Sequence, residues 1–463
     1  MPENTFAVTC LGCPKNRVDA EYMIGLLEAA GYQLVQDPSA AAVLIVQTCA
    51  FIDQAQEESI AAILDWAQWK KEEGRLLVVS GCLPQRYGEQ LADLLPEVDL
   101  FVGNGLAGEL PRLLAEERSR RAGARAAAAP AVRVGAPGYL PEASLPRRLT
   151  TPGGTAYVKI ADGCNHRCAY CVVPRLRGPY RSRPREDLVQ EVKALVGCGV
   201  REVVLVAQDT TSYGIDLYRR PALPELLEDL EEIEGLEWVR LLYAHPSTVT
   251  PRLLQVMAAS RKLCRYLDLP LQHVDEAILR RIGRPGGREA YRDLIQSLRA
   301  QVPGLALRTT FIVGLPGETE AAFASLLDFL RELRLERVGI FAYSPQEGTP
   351  AADFPDQVPP RIRRRRRRQA LALQQGIARE LNAARVGTEE RVLVEGPLDG
   401  RGLRWRARSQ WEAPEVDGCL ILRGKGLQPG RFARARIIAA GPYDLVAEAV
   451  PEEESPASER RRG

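Results

Sequence analysis

ADGCNHRCAYCVVPRLRGPYRSRP, residues 161–184, follows the strand-like run Thr155 to Ile160 and sets Cys164, Cys168 and Cys171 at C-x3-C-x2-C spacing. Three thiolates from one short loop can hold three irons of a 4Fe-4S cube and leave the fourth without a protein ligand. An open metal position is where a small molecule can bind and react. Zinc is the competing occupant, but a closed zinc site wants a fourth Cys or His at suitable spacing, and His166 lies inside the loop between two of the cysteines. Three incidental thiols are the plain alternative.

Outward from this loop, strand-like runs near 155–160, 202–207, 238–243, 266–269, 307–313 and 337–342 alternate with helical stretches such as Glu186 to Val196 and Glu320 to Arg334. Six such units predict a partial (β/α)6 barrel, and by analogy with closed (β/α)8 barrels its reactive groups gather at the C-terminal strand ends. Gln208-Asp209 follows the second strand, Gln272-His273 comes shortly after Leu267 to Leu269, and Gly314-Leu315-Pro316-Gly317-Glu318 follows the fifth. Each also has a bland reading. Gln208-Asp209 can be a helix cap, His273 an interior histidine, and Gly-Leu-Pro-Gly an ordinary turn.

Upstream, Phe6 to Leu11, Val43 to Gln47 and Leu76 to Ser80 are apolar runs separated by helix-like segments, and a fourth short run spans Asp99 to Val102. This predicts a Rossmann-like parallel α/β sheet over 1–120. Cys13, Cys49 and Cys82 each fall two residues after a strand. Loops leaving the C-terminal strand ends share one edge of such a sheet, so three thiols distant in sequence are expected to meet there as a second cluster site. Free cysteine is often buried packing, but packing cysteines belong inside strands rather than after each one. Cys10 is read as such a packing residue.

The totals bound the rest. The 463 residues suggest about three domains. Net charge is +2, so no global field announces a nucleic-acid partner. No apolar run approaches a membrane span and the N-terminus lacks signal-peptide character, so a cytoplasmic protein is expected. Ten cysteines are too sparse for a disulfide framework. Arg118 to Leu149 is rich in Ala, Arg, Pro and Gly and reads as a mobile linker, placed at 121–149, before a central domain at 150–382. Arg361 to Arg368 carries seven arginines in eight residues; it reads either as a weak RNA contact or as a solvated helix. Five short strand-like runs within 386–450 predict a small five-stranded β-barrel, and 451–463 reads as a disordered tail.

Leu11-Gly12-Cys13-Pro14-Lys15-Asn16-Arg17 resembles the opening signature of the methylthiotransferase family of radical S-adenosylmethionine (SAM) enzymes, in its ribosomal-protein branch. Ala207 to Gly214, Tyr266 to His273 and Glu347 to Ala351 extend the resemblance along the chain, and the C-terminal barrel is similar to a TRAM domain. The resemblance implies two 4Fe-4S clusters, at Cys13, Cys49 and Cys82 and at Cys164, Cys168 and Cys171, with SAM as cofactor. By motif position it assigns Gln208 and Asp209 to the SAM amino group, Tyr170 and the Gly314, Pro316 and Gly317 loop to the adenine, and Arg308 to the carboxylate. Gln272 and His273 complete the expected cofactor-binding set. The substrate implied is an aspartate of ribosomal protein S12, methylthiolated at its β-carbon, with tRNA adenosine the alternative and a non-catalytic iron–sulfur RNA-binding scaffold a third reading. A monomer and separate sulfur and electron donors complete the expectation.

Overall fold

The computed structural model describes residues 4–70, 74–122 and 129–451. The residues read as a disordered tail, apart from Pro451, lie outside these.

In the first domain the apolar runs become strands Thr5–Cys10, Val43–Thr48, Leu76–Gly81 and Leu100–Gly103, paired in parallel. Gln33–Leu34 and Ala131–Arg133 add the two edges. Val43–Thr48 and Leu76–Gly81 are buried throughout, as continuous apolar strands covered on both faces must be. Helix Pro14–Ala29 lies on one side and presents Val18 and Tyr22 to the next domain.

The central domain is an all-parallel sheet of six strands in the order Arg337–Ala342, Ala306–Val313, Leu263–Asp268, Trp238–Leu241, Glu202–Val206, Thr155–Lys159. It is not closed. Its inward-facing Tyr157, Val204, Val206 and Tyr266 pack in one cluster with Val18 and Tyr22 of the first domain and with Leu393 and Ala413 of the third. Neighbouring domains thus cover the apolar face that two further strands would bury in a closed barrel.

The third domain is a closed five-stranded barrel, Glu389–Pro397, Arg404–Arg408, Leu420–Arg423, Leu445–Val450 and Phe432–Ala440, around Val392, Ala407, Leu422, Ile437 and Ala447. It docks through buried ion pairs: Glu202, already paired with Arg240 of its own sheet at 2.8 Å, meets Arg408 at 2.5 Å, while Glu412 meets Arg385 at 2.6 Å and Arg337 at 2.9 Å.

Two segments depart from the sequence reading. The expected mobile linker carries the edge strand Ala131–Arg133, and Arg147 pairs with Glu21 at 2.6 Å and Glu191 at 2.5 Å, strapping the first domain to the barrel. Its composition lacks a period because its order comes from ion pairs rather than from an apolar face. The arginine run lies in helix Pro360–Ala383, and helical spacing splits it. Arg363 and Arg366 are buried, against Tyr343 and against Glu318, whereas Arg361, Arg364 and Arg368 are exposed. No helix among the described residues is long and apolar enough to cross a membrane.

Candidate active site

Parallel pairing brings Cys13, Cys49 and Cys82 to one sheet edge, since Cys10 aligns with Gln47 and Thr48 with Gly81. Cys13 caps helix Pro14–Ala29 and Cys82 opens helix Cys82–Tyr87. The approach is close enough to require glycine at two turns. A Cβ on Gly12 (φ +93°) would stand 2.7 Å from Cys49 Cβ, and one on Gly81 (φ +105°) 2.7 Å from the Thr48 carbonyl. Burial, reinforced by the neighbouring Cys13 and Cys82 thiols, pushes the Cys49 thiol up to about 12. Asn104 Nδ2 donates to Cys82 Sγ at 3.5 Å. Cys10 is exposed at its strand end, not packed, because it sits at the last position of a strand that leaves the core.

The second set lies on a loop pinned at several points. The amide of Cys164 donates to the Gly178 carbonyl at 3.0 Å, that of Ala169 to Ile282, and that of Cys171 to Cys168. Arg284 places Nη1 3.7 Å from Cys168 Sγ while Nη2 donates to Pro270 at 2.7 Å. Burial, with Cys168 as neighbour, raises the Cys164 thiol to about 11 and the Cys171 thiol to about 12. Thiols this high release protons when they ligate metal.

The donor sets fit iron–sulfur clusters better than single ions. A tetrahedral zinc site holds sulfurs roughly 4 Å apart, given bonds of about 2.3 Å. Among the described residues the group whose ligand atoms all lie within 4.8 Å of one another is His166, Asp209 and His245, and neither cysteine triad is drawn so tight. A four-iron cube takes more widely spaced thiolates and suits three of them.

One arginine links the first triad to the strand that leads into the second cysteine loop. Helix Val173–Arg177 begins two residues after Cys171, and Val172 and Leu176 are buried in the core of the first domain. Arg177 then reaches Cys82 Sγ at 3.7 Å, Asp19 at 2.7 Å and Asp162 at 3.2 Å, and Asp162 is two residues before Cys164. Lys159 also pairs with Asp19 and Asp162. The two cysteine triads therefore open to a common edge.

The other expected residues divide. Gln208 sits at this edge, donating Nε2 to Asp162 at 2.8 Å, and its Oε1 is buried without a partner. The Asp209 carboxylate accepts from His166 at 2.7 Å, Ser212 Oγ at 2.6 Å and Thr211 at 2.7 Å. Burial alone would raise its pKa, but these donors outweigh burial and hold it below the usual carboxylate range. It thus caps the turn Thr210–Ser212 while facing the cysteine loop. Tyr170 lies beside Arg284 and Cys168, and burial pushes its hydroxyl well above the ordinary tyrosine range. Gln272 holds φ at +70°, fixed by backbone bonds to Thr310 and Ile312, the kind of strain that gathers at functional sites.

His273, Arg308 and the Gly314–Gly317 loop are placed differently. His273 is fully buried, its Nδ1 accepting from the Asp275 amide, and burial pushes its pKa down to about 4. That is the interior-histidine reading. Arg308 pairs with Asp268 at 2.7 Å and lies 3.6 Å from Asp417 of the third domain, so its guanidinium is already engaged inside the barrel. The amides of Gly314 and Leu315 donate to Glu318, and Arg363 stands over Gly314. The loop is tied to the arginine helix, and Gly317 retains partial exposure. Residues the sequence reading did not single out are Arg284, His245, which stacks on His166 at 4.0 Å, Asp162, Arg177, Lys15 and Tyr243. The one sequence signal was Arg284 beside Pro285-Gly286-Gly287, a cation in a turn.

An open parallel barrel of six strands, with a three-cysteine loop after the first, defines the class: residues 158–330 match the Radical SAM superfamily. Residues 5–103 match "Uncharacterized protein family UPF0004" and 386–450 the TRAM domain. The chain is 50% identical over 444 residues to the "Ribosomal protein uS12 methylthiotransferase RimO" of Desulforudis audaxviator (strain MP104C), covering 95% of this chain and 96% of that one. It is 49% identical over 448 residues to the protein so named in Heliobacterium modesticaldum (strain ATCC 51547 / Ice1), covering 96% and 95%. The chain belongs to this family of uS12 methylthiotransferases. Among solved structures it shares its fold with the radical SAM methyltransferase TsrM from Kitasatospora setae, at TM-score 0.54 and 16% identity over 75% of this chain and 74% of that one.

Proposed function

We propose that this chain transfers a methylthio group to the β-carbon of an aspartate in ribosomal protein S12. The observation that carries the reading is Arg177, which reaches Cys82 of the first triad and Asp162, two residues before Cys164 of the second. When bound at Cys164, Cys168 and Cys171, a 4Fe-4S cluster with SAM supplies hydrogen abstraction from an unactivated carbon, and a second cluster at Cys13, Cys49 and Cys82 holds the sulfur to be delivered.

The chain's own residues bind, orient and shield. Gln208 offers the unpartnered Oε1, and Asp209 a carboxylate, to an ammonium group such as that of SAM. Tyr170, between Cys168 and Cys171 in the chain and partly exposed, is the aromatic side chain nearest in sequence to take an adenine ring. Arg284 supplies a positive charge beside Cys168 that offsets thiolate charge. Arg177, Lys159, Asp19 and Asp162 lock the first helix against the loop, fixing the separation of the two sites. A C–H bond of this kind offers no acidic proton to a general base, which is why no catalytic side chain is assigned beyond the ligands.

Arg361, Arg364 and Arg368 leave room for a weak contact with ribosomal RNA if the substrate is met in the small subunit. The test is mass analysis after anaerobic incubation of the protein loaded with iron and sulfide with SAM, a low-potential reductant, inorganic sulfide, ribosomal protein S12 and tRNA together. Methylthiolation of one aspartate is expected. Modified adenosine beside an unchanged ribosomal protein would overturn the reading.

A further inference from the structure

The buried ions around the shared edge do not balance. Lys159 and Arg177 are both paired to Asp19 and Asp162, and Lys15 stands beside them with no ion pair of its own among the described residues. Its Nζ lies 3.5 Å above the centre of the Tyr243 ring and 3.4 Å from the carbonyl of Ala207. Three cations therefore face two carboxylates, and the surplus charge is that of Lys15.

Lys15 is also costly where it is. It occupies the first turn of helix Pro14–Ala29, a turn with no acidic residue, where the helix dipole disfavours a cation. Its neighbour Tyr243 holds φ at +63°, a strained conformation for an aromatic residue. Local rules broken together mark functional positions. The location supports this. Lys15 follows Cys13 by two residues, and Ala207 immediately precedes Gln208 and Asp209. Lys15 and Tyr243 are both partly exposed, so a ligand can reach them.

We propose that Lys15 is the specificity-determining residue for the substrate: its ammonium takes the carboxylate of the target aspartate, with Tyr243 as the floor of the pocket. This rests on the proposed methylthiotransfer to aspartate. The β-carbon is bonded directly to that carboxylate, so anchoring it at Lys15 holds the reacting carbon at the edge shared by the two cysteine triads. A neutral purine offers the ammonium no counter-charge, so the site favours an anionic side chain.

The test compares iron-loaded wild type, Lys15→Met and Lys15→Arg on ribosomal protein S12 and on the same protein with its target aspartate changed to asparagine. For Lys15→Met, iron per chain is expected to equal wild type while KM for the aspartate substrate rises about 100-fold, the scale of losing one partner of a desolvated charge pair. Lys15→Arg should recover part of this. Wild type should prefer aspartate over asparagine, and Lys15→Met should lose that preference. Iron lost from Lys15→Met would overturn the proposal and make Lys15 a counter-charge for the first cluster. Unchanged KM and preference would overturn it too. Failure of wild type itself to modify the ribosomal protein would instead refute the proposed function.

Discussion

Cys49→Ala protein, loaded with iron and sulfide under anaerobic conditions, is expected to form 5′-deoxyadenosine from SAM and yet to place no detectable methylthio group on the ribosomal protein. Cys49 lies after the second strand of the first sheet, and its contacts are with Gly12, Ser59 and its companion thiols, not with the loop of Cys164 to Cys171. Two remaining thiolates are too few to hold a cube that wants at least three. The second cluster should persist, because its loop is pinned by its own backbone bonds and by Arg284. Cys168→Ala should abolish both products. Product analysis by liquid chromatography separates the cases, and methylthio transfer by Cys49→Ala would remove the first triad from the account.

The second large effect is on stability. Glu202→Gln should destabilise the fold by about 3–5 kcal/mol, the usual cost of breaking a buried ion pair from one side. Glu202 is fully buried between Arg240 and Arg408, and a glutamine keeps the shape while leaving both guanidinium groups short of a counter-charge. Burial alone would raise the Glu202 pKa, but Arg408 and Arg240 outweigh it and bring it from 4.5 down to about 2. The unfolded chain therefore binds more protons than the folded one between these values. Stability is fully present above about pH 4.5 and is lost as pH falls toward 2. Urea unfolding of the metal-free chain reads this through Trp238 and Trp411, which pack at this seam. A variant within about 0.5 kcal/mol of wild type, with the same acid profile, would show the pair to be dispensable.

The site was legible where its determinants are local or topological. The loop of Cys164, Cys168 and Cys171 announces itself because all three cysteines lie within eight residues. Cys13, Cys49 and Cys82 could be gathered without seeing the structure because a parallel sheet puts every strand end on one edge. The five short strands of the third domain were legible from turn spacing, and closure follows since that alone removes their edges. What local sequence does not report depends on distant partners. Arg308 is taken by Asp268 and by Asp417 of another domain, and no local pattern reports that choice. The same holds for Arg147, which orders the expected linker through Glu21 and Glu191, and for Arg363, which covers Gly314. Tyr243 and Gln272 reveal their strain only in the backbone angles.

Methylthio transfer by this chain requires two metal centres. Iron and acid-labile sulfide, counted per chain in protein loaded without oxygen, test it most directly. Two four-iron cubes predict about eight of each, falling to about four when Cys13, Cys49 and Cys82 are all replaced by Ala. About four in the wild type, unchanged by that replacement, would contradict it.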